Sequence, residues 1–187
     1  QEAIYKKTTE LYPNDFRAYN NLGMMAYANG DFTTAENYFK QAASKNANAP
    51  EVNTNLGYIE MVKGNVANAE TYLSKSTGAN TANEALGNLY IKQGQYDRAV
   101  QAFGDTKTNS AALAQILAKD YNKAKNTLNA VQNPDAYTDY LMAIVGARTN
   151  NADLVKTSMA KVAQKDATLA AKAQNDREFA KYANEIK

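Results

Sequence analysis

Residues 21–39 read NLGMMAYANGDFTTAENYF, and residues 55–73 read NLGYIEMVKGNVANAETYL. Residues 85–103, ALGNLYIKQGQYDRAVQAF, follow the same plan. Each holds a Leu-Gly pair (Leu22-Gly23, Leu56-Gly57, Leu86-Gly87) and, seven residues after its glycine, a second glycine: Gly30, Gly64 or Gly94. A polar and then an apolar residue come next: Asp31-Phe32, Asn65-Val66, Gln95-Tyr96. Ala35, Ala69 and Ala99 stand 12 residues after the first glycines, with Phe39, Leu73 and Phe103 four further on. Two looser copies keep the spacing of 12 with alanine for the first glycine. In them Ala112 pairs with Ala124 and Leu128, and Ala143 with Val155 and Met159.

Within each copy, apolar residues at i, i+3 and i+4 mark amphipathic helices about three turns long. A glycine inside a helix costs roughly 1 kcal/mol against alanine, so a repeated Leu-Gly needs a reason. The expected reason is close approach, with Gly23 and Ala35 placed where two antiparallel helices of one hairpin touch. Gly30, Gly64 and Gly94 are expected to end the first helices in a left-handed conformation. Phe32, Val66, Tyr96 and Tyr121 should open the second helices and fill the hairpin ends. The fold so predicted is an all-α solenoid: a half repeat, five full repeats and a cap.

Its divisions are residues 1–15, 16–49, 50–79, 80–107, 108–135, 136–165 and 166–187. The tightest gap between copies, 13 residues from Ala99 to Ala112, requires a shortened helix ended by Gly104, a loop over 105–109 and irregular curvature there. Residues 1–15 read as the second helix of an earlier repeat, with Tyr5 in the phenylalanine slot and Pro13 closing it. On that reading Gln1 is a boundary inside a longer array. Residues 166–187 hold two short helical stretches broken at Asn175-Asp176, with Asp176 as N-cap and Phe179 and Tyr182 on one face; a capping helix suits the end of an array.

Composition narrows function. The chain has 187 residues, 44% hydrophobic and 21% charged, which is globular rather than disordered. Lys and Arg number 21 against 19 Asp and Glu, a net charge of +2 that gives no basic footprint for nucleic acid. Without Cys or His there is no disulfide framework, thiolate site, Ser-His-Asp triad or imidazole ligand. No glycine-rich phosphate loop occurs, since neither Gly64 nor Gly78 is followed by Gly-Lys-Ser/Thr. The longest apolar run, residues 141–147, is too short to span a bilayer, and no charged and then apolar leader opens the chain. Glu36, Glu60 and Glu70 sit at helical positions expected of solvated faces. No catalytic, cofactor or metal residues are assigned, and the chain is not read as an enzyme.

The spacing resembles the tetratricopeptide repeat, whose pattern reads W-x2-L-G-x2-Y, then A-x3-F-x2-A and a final P. Tyr19 fills the first aromatic position in one copy, while Asn53 and Asn83 stand there in the next two; Pro13 and Pro134 are what remains of the final proline. The resemblance implies a right-handed superhelical solenoid whose first helices line a concave face, where a protein or peptide binds. Transferred position by position, that groove holds Asn20, Met24 and Tyr27, then Thr54, Asn55, Tyr58 and Met61, then Glu84, Asn88, Ile91 and Lys92. Ile116, Tyr140, Ile144 and Arg148 extend it into later copies. Neutral amides suit hydrogen bonding to a peptide backbone, and Met and Tyr give adaptable contact area. The clamp by which some such domains hold a C-terminal carboxylate is matched by Asn55 alone, and Glu84 would repel a carboxylate. The function expected is a protein–protein interaction scaffold, with neither nucleic acid nor membrane insertion. The alternatives are a structural spacer in an envelope or secretion assembly, and an accessory domain of an enzyme encoded upstream. An Asn-, Thr- and Ala-rich surface without Cys looks like repeat domains of the bacterial periplasm or envelope rather than of the cytoplasm.

Overall fold

The computed structural model of the chain describes residues 1–76 and 80–187, and among them every regular element is helical. Gly78 and the boundary expected at residue 79 lie outside the described residues. Packing divides the chain into two compact units, Gln1–Leu89 and Tyr90–Lys187. The first contains α1 (Glu2–Leu11), α2 (Phe16–Ala28), α3 (Phe32–Lys45), α4 (Pro50–Val62), α5 (Val66–Ser74) and most of α6 (Asn80–Lys92). The second contains the end of α6, then α7 (Tyr96–Phe103), α8 (Asn109–Leu117), α9 (Tyr121–Asn129), α10 (Ala136–Arg148), α11 (Ala152–Lys165), α12 (Ala167–Ala173) and a 3-10 helix, Arg177–Tyr182.

One turn chemistry recurs five times among the described residues. The backbone N–H groups of Asp31, Asn65, Gln95, Asp120 and Asn151 donate to the carbonyls of Ala26, Glu60, Tyr90, Gln115 and Gly146 at 2.8–2.9 Å. Each bond closes a first helix in the six-to-one pattern that requires a left-handed residue just before the donor. Gly30, Gly64 and Gly94 take that conformation at φ 79°, 79° and 74°. In the two looser copies Lys119 (φ 66°) and Asn150 (φ 56°) hold the same place, seven residues after Ala112 and Ala143. The side chains of Asp31, Asp120 and Asn151 then cap the following helices by accepting from Thr34, Lys123 and Leu154 N–H.

Helices on either side of these turns run antiparallel. Nearest the turn, Tyr27 meets the Phe32 ring edge-on at 5.1 Å, and a turn further away Gly23 faces Phe39. An added Cβ at Gly23 would lie 2.5 Å from Phe39 Cε1; at Gly57 it would lie 2.8 Å from Leu73 Cδ2 and Cγ. Close approach is therefore real: Phe39 supplies the nearest atoms at Gly23, and at Gly57 the carbonyl of Ala69, the counterpart of Ala35, lies 3.5 Å from the added Cβ beside Leu73. Around Phe39 pack Ala35, Ala42, Val52, Leu56 and Ile59, all buried. In the second unit Ala112, Ile116, Ala124, Leu128, Leu141 and Val145 form one core.

Two other expectations change. Phe32 and Val66 open α3 and α5 but are 38% and 39% exposed, Phe32 covering only one side of Tyr27 at the hairpin end. Glu60 is buried, not solvated. Its carboxylate accepts from Asn65 Nδ2 at 2.9 Å and Asn68 Nδ2 at 3.4 Å, and Lys63 reaches both it (3.5 Å) and half-buried Glu36 (3.1 Å). The bond from Asn65 is the main reason the Glu60 carboxyl titrates below the usual carboxylate range. It also explains why Asn65 does not cap α5.

Both ends differ from the interior. No residue of α1 is buried, and Ile4, Leu11 and Tyr12 are exposed. Gly104 closes α7 (φ 54°), and α8 starts at Asn109 after a loop over 104–108. Asp176 caps the final helix by accepting from Glu178 N–H, and Phe179 and Tyr182 are buried against Tyr140, Val155 and Met159.

Candidate functional site

The first helices of the first unit bring the candidate residues together in two rungs. In the lower rung Asn55 Nδ2 donates to Asn20 Oδ1 at 2.9 Å, tying α4 to α2 across 35 residues of sequence. Asn20 is buried, and its own amide points at Met24 Sδ at 3.8 Å. In the upper rung the Tyr27 and Tyr58 rings lie 6.4 Å apart, tilted by 41°, with Phe32 on the far side of Tyr27. Spacings of four and three place Asn20, Met24 and Tyr27 on one stripe of α2, and Asn55 and Tyr58 on one stripe of α4.

Exposure separates those that a partner can touch from those that only support. Met24 is 51% exposed although apolar, and Tyr27, Asn55, Tyr58, Met61 and Glu84 are half-buried. Asn88 is exposed. Thr54 is buried and its hydroxyl donates to Pro50 O at 2.9 Å within α4, so it packs rather than faces outward. Ile91 (half-buried) and Lys92 (exposed) belong to the second unit, at the end of α6. There Ile116 is buried. Tyr140 donates its hydroxyl to Asp176 and Arg148 binds Glu178, so the chain's own C-terminal segment occupies those positions.

Electrostatics set the rungs apart. Burial, with smaller contributions from Tyr27 and from the Glu84 carboxylate, pushes the Tyr58 hydroxyl above the ordinary tyrosine value. Tyr58 is therefore a neutral donor and acceptor at physiological pH. At the foot of α2, Arg17 holds Asp15 through Nε–Oδ1 at 2.9 Å and Nη2–Oδ2 at 2.6 Å, and the Asp15 carboxyl falls to about 2. Sequence reasoning left Phe32 out of the site; its place across the turn from Tyr27 was the available signal. It also missed the Glu36–Lys63–Glu60 network, because periodicity alone does not show that Asn65 and Asn68 turn toward Glu60. Among the described residues no cluster of acidic side chains could hold a metal, and no helix is long and apolar enough to cross a membrane.

Such a molecule, made of antiparallel helix hairpins with one repeated turn and polar-aromatic stripes along its first helices, is a repeat protein of the kind that presents a surface to other proteins. Family models described as tetratricopeptide repeat match residues 4–37, 26–84 and 84–107. The chain is a tetratricopeptide repeat protein. Proteins of this fold generally serve as protein–protein interaction scaffolds and not as catalysts. A search of curated proteins finds no match. Among solved structures, YrrB, described as a TPR protein with an unusual peptide-binding site, aligns with TM-score 0.72 at 16% identity, covering 94% of this chain and 100% of that one. Pseudomonas aeruginosa PilF aligns with TM-score 0.72 at 13% identity, covering 97% and 86%. PilW, described as a widely conserved type IV pilus biogenesis factor, aligns with TM-score 0.65 at 18% identity, covering 96% and 87%. At these identities the likeness is one of fold.

Proposed function

We propose that this protein holds a peptide or an extended partner segment on the concave face of the repeat, along the first helices of its first unit. The observation that carries the reading is the pair of rungs linking α2 to α4: the Asn20–Asn55 hydrogen bond beside the Tyr27–Tyr58 contact. A preformed amide ladder fixes the spacing of the two helices and leaves Asn55 and Asn88 able to bond a peptide backbone. Beside it, Met24, Tyr27, Tyr58 and Met61 offer accessible apolar area at little cost in side-chain order. The peptide-binding site described for YrrB supports this mode.

The bacterial envelope is the setting we favour, supported by the likeness to PilF and PilW and by the Cys-free, Asn- and Thr-rich surface. A spacer held by its ends is the competing role. Peptides selected from a displayed random library against the intact chain distinguish the two. Tyr58→Ala should weaken a selected peptide by about 1–3 kcal/mol, as an aromatic anchor does, and Lys75→Ala, at the C-cap of α5, should leave affinity unchanged. Normal binding by Tyr58→Ala, Asn55→Ala and Asn88→Ala together would sink the groove in favour of the spacer.

A further inference from the structure

The chain has five methionines, and only Met24 is exposed, at 51%; Met25, Met61 and Met142 are half-buried and Met159 is buried. The Met24 sulfur also has an uncommon neighbour. Asn20 is 5% exposed, and the two ends of its carboxamide face different partners: Oδ1 accepts from Asn55, and Nδ2 points at Met24 Sδ at 3.8 Å. Among the described residues no oxygen accepts from that Nδ2 group. A thioether is a weak acceptor, while the amide nitrogen has two hydrogens to place. A buried donor left in that state costs free energy. The lower rung therefore holds an amide short of an acceptor, aimed at the most accessible methionine in the chain.

Oxidation supplies what this site lacks. A hydroperoxide transfers one oxygen atom to the sulfur. The S–O bond forms as the peroxide O–O bond breaks, the sulfur gives up two electrons, and the peroxide leaves as water or an alcohol. The product, methionine sulfoxide, carries a polar oxygen at the end of an unbranched side chain with several rotatable bonds. That oxygen can turn from the open face to the Asn20 amide. In a packed core the same change is disruptive, because a polar group is forced among apolar ones. Here it meets a waiting donor on one side and water on the other. The ladder between α2 and α4 survives, since Asn20 uses Oδ1 and not Nδ2 to bond Asn55.

We propose that Met24 is an oxidation site whose sulfoxide is held by Asn20, and that this modification switches the α2 edge of the face from apolar to polar. The switch rests on the groove reading; the oxidation site does not. A partner that covers Met24 beside Tyr27, three residues on along the same stripe, loses an apolar contact on oxidation and must strip water from the sulfoxide. Enzymatic reduction to the thioether reverses the change.

The experiment treats the intact chain with limiting hydrogen peroxide and maps the oxidised methionines by peptide mass spectrometry. Met24 should be modified before Met25, Met61, Met142 and Met159. In side-chain amide NMR spectra an Asn20 Nδ2 proton should move downfield on oxidation, the signature of a stronger acceptor, and should stay in place in Met24→Leu treated alike. A peptide selected from a displayed library against the reduced chain should bind the oxidised chain about five- to thirtyfold more weakly. Met24→Gln, with a polar group there permanently, should show the same loss without peroxide, and Met24→Leu should bind equally before and after treatment. Circular dichroism melts of the oxidised chain control for folding. Oxidation that falls first on another methionine, or an Asn20 amide that does not move, overturns the site. Unchanged affinity of the oxidised chain for a peptide that depends on Tyr58 overturns the switch and leaves the groove standing. Peptides indifferent to Tyr58→Ala, or no selected peptides at all, overturn the groove and the switch with it, while the mass and amide readouts still decide the oxidation site.

Discussion

Replacing Gly23 by alanine sets two magnitudes against each other. Alanine is the better helix former by about 1 kcal/mol, so on an open helix the change would stabilise. Here the new Cβ would sit 2.5 Å from Phe39 Cε1 and 2.6 Å from Cδ1, where an ordinary carbon–carbon contact needs about 3.5–4.0 Å. Something must move by roughly 1 Å. The ring cannot: Phe39 is 1% exposed and enclosed by Ala35, Ala42, Val52 and Leu56. Overpacking costs about 1–3 kcal/mol, and a rigid buried ring puts this site at the upper end. The net expectation is a loss of about 2 kcal/mol, or about 4–8 °C in the melting of a domain this size. Thermal melts by far-ultraviolet circular dichroism measure it, and Gly23→Ala/Phe39→Val completes a cycle. With the ring gone, Gly23→Ala should become neutral or stabilising. Gly30→Ala is the contrast: nothing lies within 4 Å of its Cβ, but φ is +79°, so it should lose about 1–2 kcal/mol whether or not Phe39 is present. A Gly23→Ala variant as stable as the parent would refute the helix register on which the hairpin description depends.

Lys119→Gly and Asn150→Gly should each stabilise the second unit by up to about 1 kcal/mol, since both residues sit at positive φ where glycine carries no Cβ penalty; lower urea midpoints would contradict the shared turn. Asp15 titrates near 2 because Arg17 binds its charged form, so its contribution to stability is whole above the ordinary carboxylate pKa and fades as pH falls from about 4 to 2. Asp15→Asn keeps the cap but not the charge, and should make the acid limb of a stability–pH curve shallower in that window; an unchanged limb would refute it. Amides of α1, which buries no residue, should exchange faster than those of α3 and α5, and equal protection would mean that something covers its apolar side.

The hairpins were legible in the sequence because their determinants are local. A left-handed residue must follow each first helix, and glycine announces it at Gly30, Gly64 and Gly94. Lys119 and Asn150 announce nothing by type, yet the spacing of 12 between small residues located their copies, since a close approach on one side of the turn fixes the register on the other. What the pattern could not resolve was which side chain fills the space the glycine leaves. Ala35 and Phe39 lie on the same face of α3 one turn apart, and only the depth of the turn decides that Phe39 faces Gly23.

The candidate site was legible in position but less so in accessibility, and the physical reason is the same for each residue that changed role. Periodicity gives the direction in which a side chain leaves its own helix; it is silent on what the neighbouring helix places there. Thr54 points as the stripe requires but closes a bond to Pro50. Tyr140 and Arg148 also point as required, and the chain's own Asp176 and Glu178 already occupy them. Asn20 was assigned to a partner and instead accepts from Asn55. That last change strengthens the functional argument. An amide spent on holding α2 and α4 at fixed separation would make the proposed groove rigid before any peptide arrives, and a rigid groove loses less conformational entropy on binding. On the proposed face the residues left for recognition are then the exposed and half-buried ones: Met24, the open sides of Tyr27 and Tyr58, Met61 and Asn88.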